Sequence, residues 1–277
     1  MTTPRLMPRA APGSLTRLLR QAHDAGRLPD ALPMLTTGSR FIPAFRSATE
    51  LTGPPRRVLV SEGNARPQLI YVPSFLAGSG PHQFVRLATA FDRRARTSAL
   101  VLPGFDRDSP VPATWTAALD ALAATVHLVA GGGPYVLVGH SIGGVVAHAL
   151  AGRMARTGQP AARGVVLIDT FDPSPARQDA MLDWAMGSVL DRDPDGVIVN
   201  DDNLLAMGAY LRIFQDWQHT HATVPVLQVS ASASPWPAWQ VADTVTPVAA
   251  DHFSILEEHA GVTAEAIERW LPTAGVR

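Results

Sequence analysis

The chain has 277 residues, 46% of them hydrophobic, enough for one large buried core with appendages. Its 23 basic and 24 acidic side chains sum to a net charge of −1, a balance that offers no field for nucleic acid or an anionic membrane surface. It has no cysteine, which excludes disulfides, thiolate metal sites and a cysteine nucleophile and leaves catalysis to oxygen, nitrogen or a cofactor.

Residues 1–13 are rich in Pro, Arg and small side chains and read as a tail or linker. Their arginines precede no apolar h-region, and no run in the chain approaches the roughly 18 apolar residues of a membrane span, so a cytoplasmic protein is expected. Ser14 can cap a helix in which Leu15, Leu18, Leu19 and Ala22 recur at helical spacing, ending near Gly26. A second short helix is expected from Asp30, as N-cap, to Gly38. Together these helices set a unit at 14–50 that cannot bury much alone and needs a partner surface.

The main domain is expected over 51–277. From about residue 57, short β-branched runs alternate with helical patterns. The strands are Val58–Val60, Leu69–Val72, Leu100–Leu102, Tyr135–Val138, Val165–Ile168, Val224–Val229 and Val245–Val248. The helices are Pro81–Asp92, Thr114–Val129, Ile142–Thr157 and Ser254–Leu271. This alternation predicts an α/β fold, a mostly parallel sheet covered on both faces. Between about 173 and 223 there is no strand. Two helical patterns, one with Met181, Leu182, Ala185, Met186, Val189 and Leu190, the other with Leu204, Met207, Tyr210, Leu211, Phe214 and Trp217, flank the polar loop Asp191–Asp202. An insertion this long exceeds ordinary connections and reads as a lid. Most of its apolar residues are expected to pack as ordinary helix stripes, yet an adaptable apolar roof over a serine also suits an aliphatic acyl chain.

The chemistry centres on Gly139-His140-Ser141-Ile142-Gly143, a G-x-S-x-G match between a buried strand and a helix. A nucleophile elbow belongs on such a turn, with the Ser141 hydroxyl exposed and the Ile142 N–H free to hold an oxyanion. A serine needs a base. Among nine histidines, His252 follows the last strand and precedes the final helix, whereas His140 is expected to point away from the serine on the elbow, His23 lies in the N-terminal appendage, His127 and His148 fall within helices where packed or surface roles are expected, and His219 and His221 sit at the end of the lid; His259 is the alternative. The acid is expected at Asp169, at the end of the Gly164–Ile168 run, with Asp172 as competitor and Asp251 as a loop residue. No carboxylate follows Val224–Val229 before Asp243. The second oxyanion donor is expected in the loop Pro73–Gly78, at Leu76 or else Phe75, and His82 follows that loop. No metal site is expected.

Several further motifs stand in order: Ser79-Gly80-Pro81-His82-Gln83-Phe84, Leu102-Pro103-Gly104-Phe105, Val165–Asp169, Leu205-Ala206-Met207-Gly208-Ala209-Tyr210, Ser234-Pro235-Trp236-Pro237, Asp251-His252-Phe253-Ser254 and Glu258-His259-Ala260. With Gly139–Gly144 they make the chain, from about residue 14 onward, resemble the terminal thioesterase domains of modular type I polyketide synthases. The resemblance implies the α/β-hydrolase fold and an acid after the strand that follows the serine helix, at Asp169. It also implies a dimer formed by the N-terminal helices, with Leu15, Leu18 and Leu19 facing a second subunit, and a channel under the lid. Phe75, Met181, Met186, Met207, Tyr210 and Phe214 are the residues expected to line that channel. Phe75 and Leu76 stand where the family often has small residues, which predicts a narrower channel.

The expected reaction is release of a polyketide from the phosphopantetheine arm of an acyl carrier protein through a Ser141 ester, by hydrolysis or macrolactonisation, with no cofactor. The rival readings are a discrete type II editing thioesterase or general acyl-ester hydrolase, and a non-catalytic α/β-hydrolase-like binding module.

Overall fold

A computed structural model of the chain describes residues 13–92, 94–219 and 223–273; the tail before Gly13, His221 and the last four residues lie outside that range. Two helices lead, α1 (Ser14–Asp24) and α2 (Leu28–Gly38), followed by the two-residue strand β1 (Ala44–Phe45). The main domain then runs β2 (Arg57–Glu62), β3 (Ala65–Val72), α3 (Val85–Ala90), β4 (Ala95–Leu100), β5 (Val111–Pro112), α4 (Trp115–Ala130), β6 (Tyr135–His140), α5 (Ile142–Arg156) and β7 (Gly164–Ile168). The helices α6 (Pro175–Arg192) and α7 (Asp201–Phe214) form the lid, and β8 (Val226–Ala231), β9 (Thr244–Val248) and α8 (Ala260–Thr273) complete the chain.

The main sheet has the order β2-β4-β3-β6-β7-β8-β9, in which β2 pairs antiparallel to β4 and every other pairing is parallel. A parallel strand covered on both faces has no solvent side to mark by a polar residue, and β6 and β7 are accordingly buried along their whole length. Alternate residues serve two cores. Ile70, Leu137, Val165 and Leu167 face α4, α5, the lid and the N-terminal helices. Tyr71, Val136, Val138 and Ile168 face α3 and α8.

Local chemistry explains the departures from the predicted boundaries. The third strand runs Ala95–Leu100 instead of Leu100–Leu102, because Thr97 and Ser98 are buried polar residues that hide its apolar pattern, and because Pro103 and Gly104, the latter at φ 89°, turn the chain. The helix expected over Pro81–Asp92 opens with a 3₁₀ turn at Pro81–Phe84, and the one expected from Ser254 is a 3₁₀ turn at Ser254–Leu256 before α8. α2 begins at Leu28, ahead of Asp30, with Pro29 in its first turn where a missing N–H costs nothing.

The surface that the N-terminal helices need is the lid of their own chain. Leu19, Leu28, Leu32 and Leu35 are buried in one cluster with Met186, Leu190, Leu204 and Met207. Polar contacts reinforce this. Asp201, the first residue of α7, accepts hydrogen bonds from the Thr16 N–H (2.8 Å), the Thr16 hydroxyl (2.7 Å) and the Leu15 N–H (3.3 Å), so it caps α1 as well. Arg20 pairs with Asp193 at 3.1 Å and His23 with Asp191 at 2.8 Å. The expectation for Leu15, Leu18 and Leu19 is therefore corrected in part: Leu19 is 1% exposed inside the chain, Leu15 is partly buried against the same core, and Leu18 is the exposed one, at 40%.

Candidate active site

Three loops leave the carboxyl edge of the sheet side by side. After β6 the chain turns sharply into α5, and Ser141 takes φ 57° and ψ −137°, a left-handed conformation costly for a residue with a Cβ. The turn closes because a Cβ at Gly139 would overlap the Gly143 carbonyl, and one at Gly143 would meet the Val72 carbonyl of the neighbouring strand. The Ser141 N–H donates to the Ile168 carbonyl at 2.9 Å, which ties the elbow to β7. Ile142 begins α5, where the first N–H groups have no intrahelical acceptor and face the positive end of the helix dipole.

Asp169 follows β7 at φ 42° and is 2% exposed. Its Oδ2 accepts from His252 Nδ1 at 2.7 Å and from the Ser234 hydroxyl at 2.7 Å, and its Oδ1 from the Ala231 N–H at 2.9 Å. Burial works to raise its pKa, but the hydrogen bond and proximity of His252, together with the Ser234 and Ala231 donors, outweigh it and hold the carboxyl below its ordinary value. Asp169 is thus an anion, and as a carboxylate can only accept, the short contact makes His252 Nδ1 the donor. Asp172, the competitor, instead accepts from the Ser174 N–H in a turn, and Asp251 accepts from the Phe253 and Ser254 N–H groups, well placed to order the His252 loop.

His252 is 3% exposed and boxed by rings: His140 at 4.5 Å, Phe171 at 4.9 Å, Phe253 at 5.1 Å and Trp184 of the lid at 5.2 Å between centroids. Its carbonyl accepts from His140 Nε2 at 2.8 Å, so the residue before Ser141 holds the His252 backbone as well as its ring. His140 therefore takes a structural role, holding the His252 loop. The other histidines lie elsewhere. His148 packs on Trp239, His127 is exposed, His23 pairs with Asp191, His219 packs on Trp239, and the N–H of His259, in the turn before α8, donates to the Ser254 carbonyl.

Ser141 opens onto an apolar cavity of about 60 Å³ between the lid and the loop after β3, lined in part by Phe75, Leu76, Ile142, Met181, Leu182 and Phe214. Of the six residues expected to line a channel, Phe75, Met181 and Phe214 do so. Met186, Met207 and Tyr210 do not; they are fully buried behind that wall. The reason is the breadth of the apolar stripe: α6 and α7 bury one side against the core, and a helical period does not say which apolar residue takes which side. Met207 Sδ accepts from the Ala77 N–H at 3.4 Å, and Tyr210 stacks on Phe75 at 5.5 Å, so both support the wall. The Leu76 N–H, first choice as oxyanion donor, already donates to the Ser74 hydroxyl at 3.1 Å, which leaves the Phe75 N–H as the donor without a protein acceptor among the described residues.

Sequence reasoning missed Ser234, Phe171 and Trp184. The run Ser230–Ser234 at the end of β8 carried the signal for the first: three hydroxyls stand where a carboxylate is absent, beside an acid that must be held ionised. Ring contacts such as those of Phe171 and Trp184 leave no sequence pattern.

Residues 67–207 match the thioesterase domain family. The chain is 34% identical over 95% of its length to erythronolide synthase EryA3 of Saccharopolyspora erythraea, and 35% identical over 93% to the spectinabilin polyketide synthase system protein NorC of Streptomyces orinoci. It spans 8% and 12% of the length of those proteins. Among solved structures, the type II thioesterase BorB from the borrelidin biosynthetic cluster superposes with a TM-score of 0.56 at 21% identity, covering 78% of this chain and 97% of that one, a likeness of fold. No helix among the described residues is long and apolar enough to cross a membrane, and none of their His, Asp and Glu side chains group for a metal ion. With a family match over half its length on an α/β-hydrolase fold, the chain belongs to the thioesterase domain family and is a thioesterase enzyme.

Proposed function

We propose that the chain releases a polyketide acyl group from the phosphopantetheine arm of an acyl carrier protein, with Ser141 as nucleophile, His252 as base and Asp169 as the orienting acid. The observation that carries this is the 2.7 Å bond from His252 Nδ1 to an ionised, triply hydrogen-bonded Asp169 beside a serine held at positive φ. His252 Nε2 takes the Ser141 proton as Oγ attacks the thioester carbonyl carbon. The tetrahedral oxyanion is held by the Ile142 N–H and, in the loop after β3, by the Phe75 N–H or by that of Leu76 once released from Ser74. Collapse breaks the C–S bond, and the leaving sulfur takes the proton back from the imidazolium. Water gives the acid, or a hydroxyl of the acyl chain gives the macrolactone, by the same proton relay in reverse. No diffusible cofactor is required by this sequence of steps.

The apolar lining around Ser141 favours an acyl chain over a polar substrate. Two polyketide synthases at 34% and 35% identity over nearly the whole chain support the carrier-bound polyketide as substrate class. The test is mass spectrometry of the protein incubated with acyl-N-acetylcysteamine thioesters. An acyl adduct on wild type that is absent from Ser141→Ala and His252→Ala supports the reading. An adduct that persists in Ser141→Ala refutes it. Product analysis over hydroxyacyl thioesters separates hydrolysis from ring closure.

A further inference from the structure

We propose that Trp184 of the lid is a specificity-determining residue for the acceptor: it shuts His252 off from solvent, so that the Ser141 ester passes to a hydroxyl of the bound acyl chain in preference to water. This rests on the thioesterase mechanism above and names the acceptor that the mechanism leaves open. Attack by that hydroxyl oxygen on the ester carbonyl carbon forms the lactone C–O bond and gives the hydroxyl proton to His252. The bond to Ser141 Oγ then breaks, and Oγ takes the proton back. Water would follow the same path to the acid, so the outcome turns on which O–H group reaches the base.

The base is closed in, with Asp169 on Nδ1 and rings around it. His140, Phe171 and Phe253 belong to the sheet and to the segments that leave its edge. Trp184 is the ring that the lid contributes, from the middle of α6, inclined at 66° to the imidazole. It is held there by Phe171 at 5.9 Å, Phe253 at 6.2 Å and Trp236 at 6.5 Å. Arg192, about two turns further along α6, covers Phe253 with its guanidinium at 4.1 Å. Trp184 itself is half-buried, whereas Phe171 and His252 beneath it are buried, so the indole is the layer between the base and solvent on the lid side.

Trp184 and Phe171 also line the cavity onto which Ser141 opens, so the same two rings border the base and the acyl group. Apart from Ser141 and Gln178, every residue lining that cavity is apolar. A water molecule held inside needs several polar partners, which such walls do not supply. A hydroxyl carried on the acyl chain is in a different position, because burial of the chain's own apolar surface brings it in.

The experiment follows the Ser141 acyl adduct by acid-quenched mass spectrometry in a single turnover of hexanoyl-N-acetylcysteamine, which carries no hydroxyl. The adduct should decay about tenfold faster in Trp184→Ala than in wild type, and in Trp184→Phe, which keeps a ring, at close to the wild-type rate. Truncation of a ring that served packing alone would slow acylation and decay together, so a faster decay separates the two roles. With a hydroxyacyl thioester able to close a ring, the ratio of lactone to acid should fall by about tenfold in Trp184→Ala. Should the alanine variant not fold, Trp184→Leu fills part of the gap and is read in the same two ways. Decay no faster than wild type, a ratio unmoved, or release of acid alone by wild type overturns the inference, while the Ser141 adduct leaves the thioesterase mechanism standing. Absence of an adduct from wild type overturns both.

Discussion

Ser234 shows how an acid buried beside a neutral residue pattern is kept ionised. Its hydroxyl is one of three donors on Asp169, and a hydrogen bond to a charged group is worth about 1.5–3 kcal/mol. Ser234→Ala should therefore lower kcat/KM on an acyl-N-acetylcysteamine thioester by about tenfold, with an unchanged circular dichroism spectrum. Asp169→Asn should cost about 10⁴-fold by stabilising the wrong imidazole tautomer, while Asp172→Asn should stay near wild type; the reverse order would move the acid to Asp172. At this scale the sequence named Ser141, Asp169 and His252 as candidates because each follows a recognisable strand, and the structure puts His252 Nδ1 2.7 Å from Asp169. It did not expose Ser234 or the ring box around His252, since a hydroxyl in a loop and rings from four separate elements meet only in three dimensions.

The lid helices were legible as elements, from their period and from the length of the insertion. Their facing was not, because α7 is apolar on more than one side: Leu204, Met207 and Tyr210 serve the core while Leu211 and Phe214 serve the cavity. Gly208 packs against α2; a Cβ there would collide with the Leu35 carbonyl, a backbone atom that cannot swing aside. Gly208→Ala should consequently destabilise the protein by about 1–3 kcal/mol in chemical denaturation, despite the better helix propensity of alanine. Asp201 is the other link. Burial tends to raise its pKa, but the Thr16 hydroxyl and the Thr16 and Leu15 N–H groups outweigh this, and the pKa is lowered. A depressed folded-state pKa stabilises above the unfolded value and ceases to do so as pH falls through the folded one. Asp201→Ala should thus cost about 1 kcal/mol near pH 7, and the difference in melting temperature from wild type should vanish in strong acid. A difference that persists at the lowest pH would assign the loss to packing.

For the whole molecule, the mostly parallel sheet followed from alternation of patterns and the lid insertion from its interruption, whereas the destination of the N-terminal helices did not follow from either. An amphipathic stripe states that a surface is needed, not whose. In this chain much of the stripe is satisfied internally, and Leu18 and Met34 remain exposed at 40% and 46%. We propose a homodimer through this helix pair, and Leu18→Glu combined with Met34→Glu should convert it to a monomer in sedimentation velocity while small acyl thioesters are still hydrolysed. Deleting residues 1–38 is a different experiment. It uncovers Met186, Leu190 and Met207, so melting temperature and activity should both fall. A monomeric wild type would remove the dimer and favour a discrete hydrolase.

The cap that Asp201 places on α1 joins residues 185 positions apart. During synthesis at about 5–20 residues per second, α1 and α2 leave the ribosome roughly 10–40 s before the carboxylate and the apolar face that will hold them. For that interval Leu19, Leu28, Leu32 and Leu35 belong to a nascent segment too short to be helical by itself and without a native surface to cover it. Closing so long a loop comes late and slowly in folding, so the apolar stripe of these helices stays uncovered until the lid has been made.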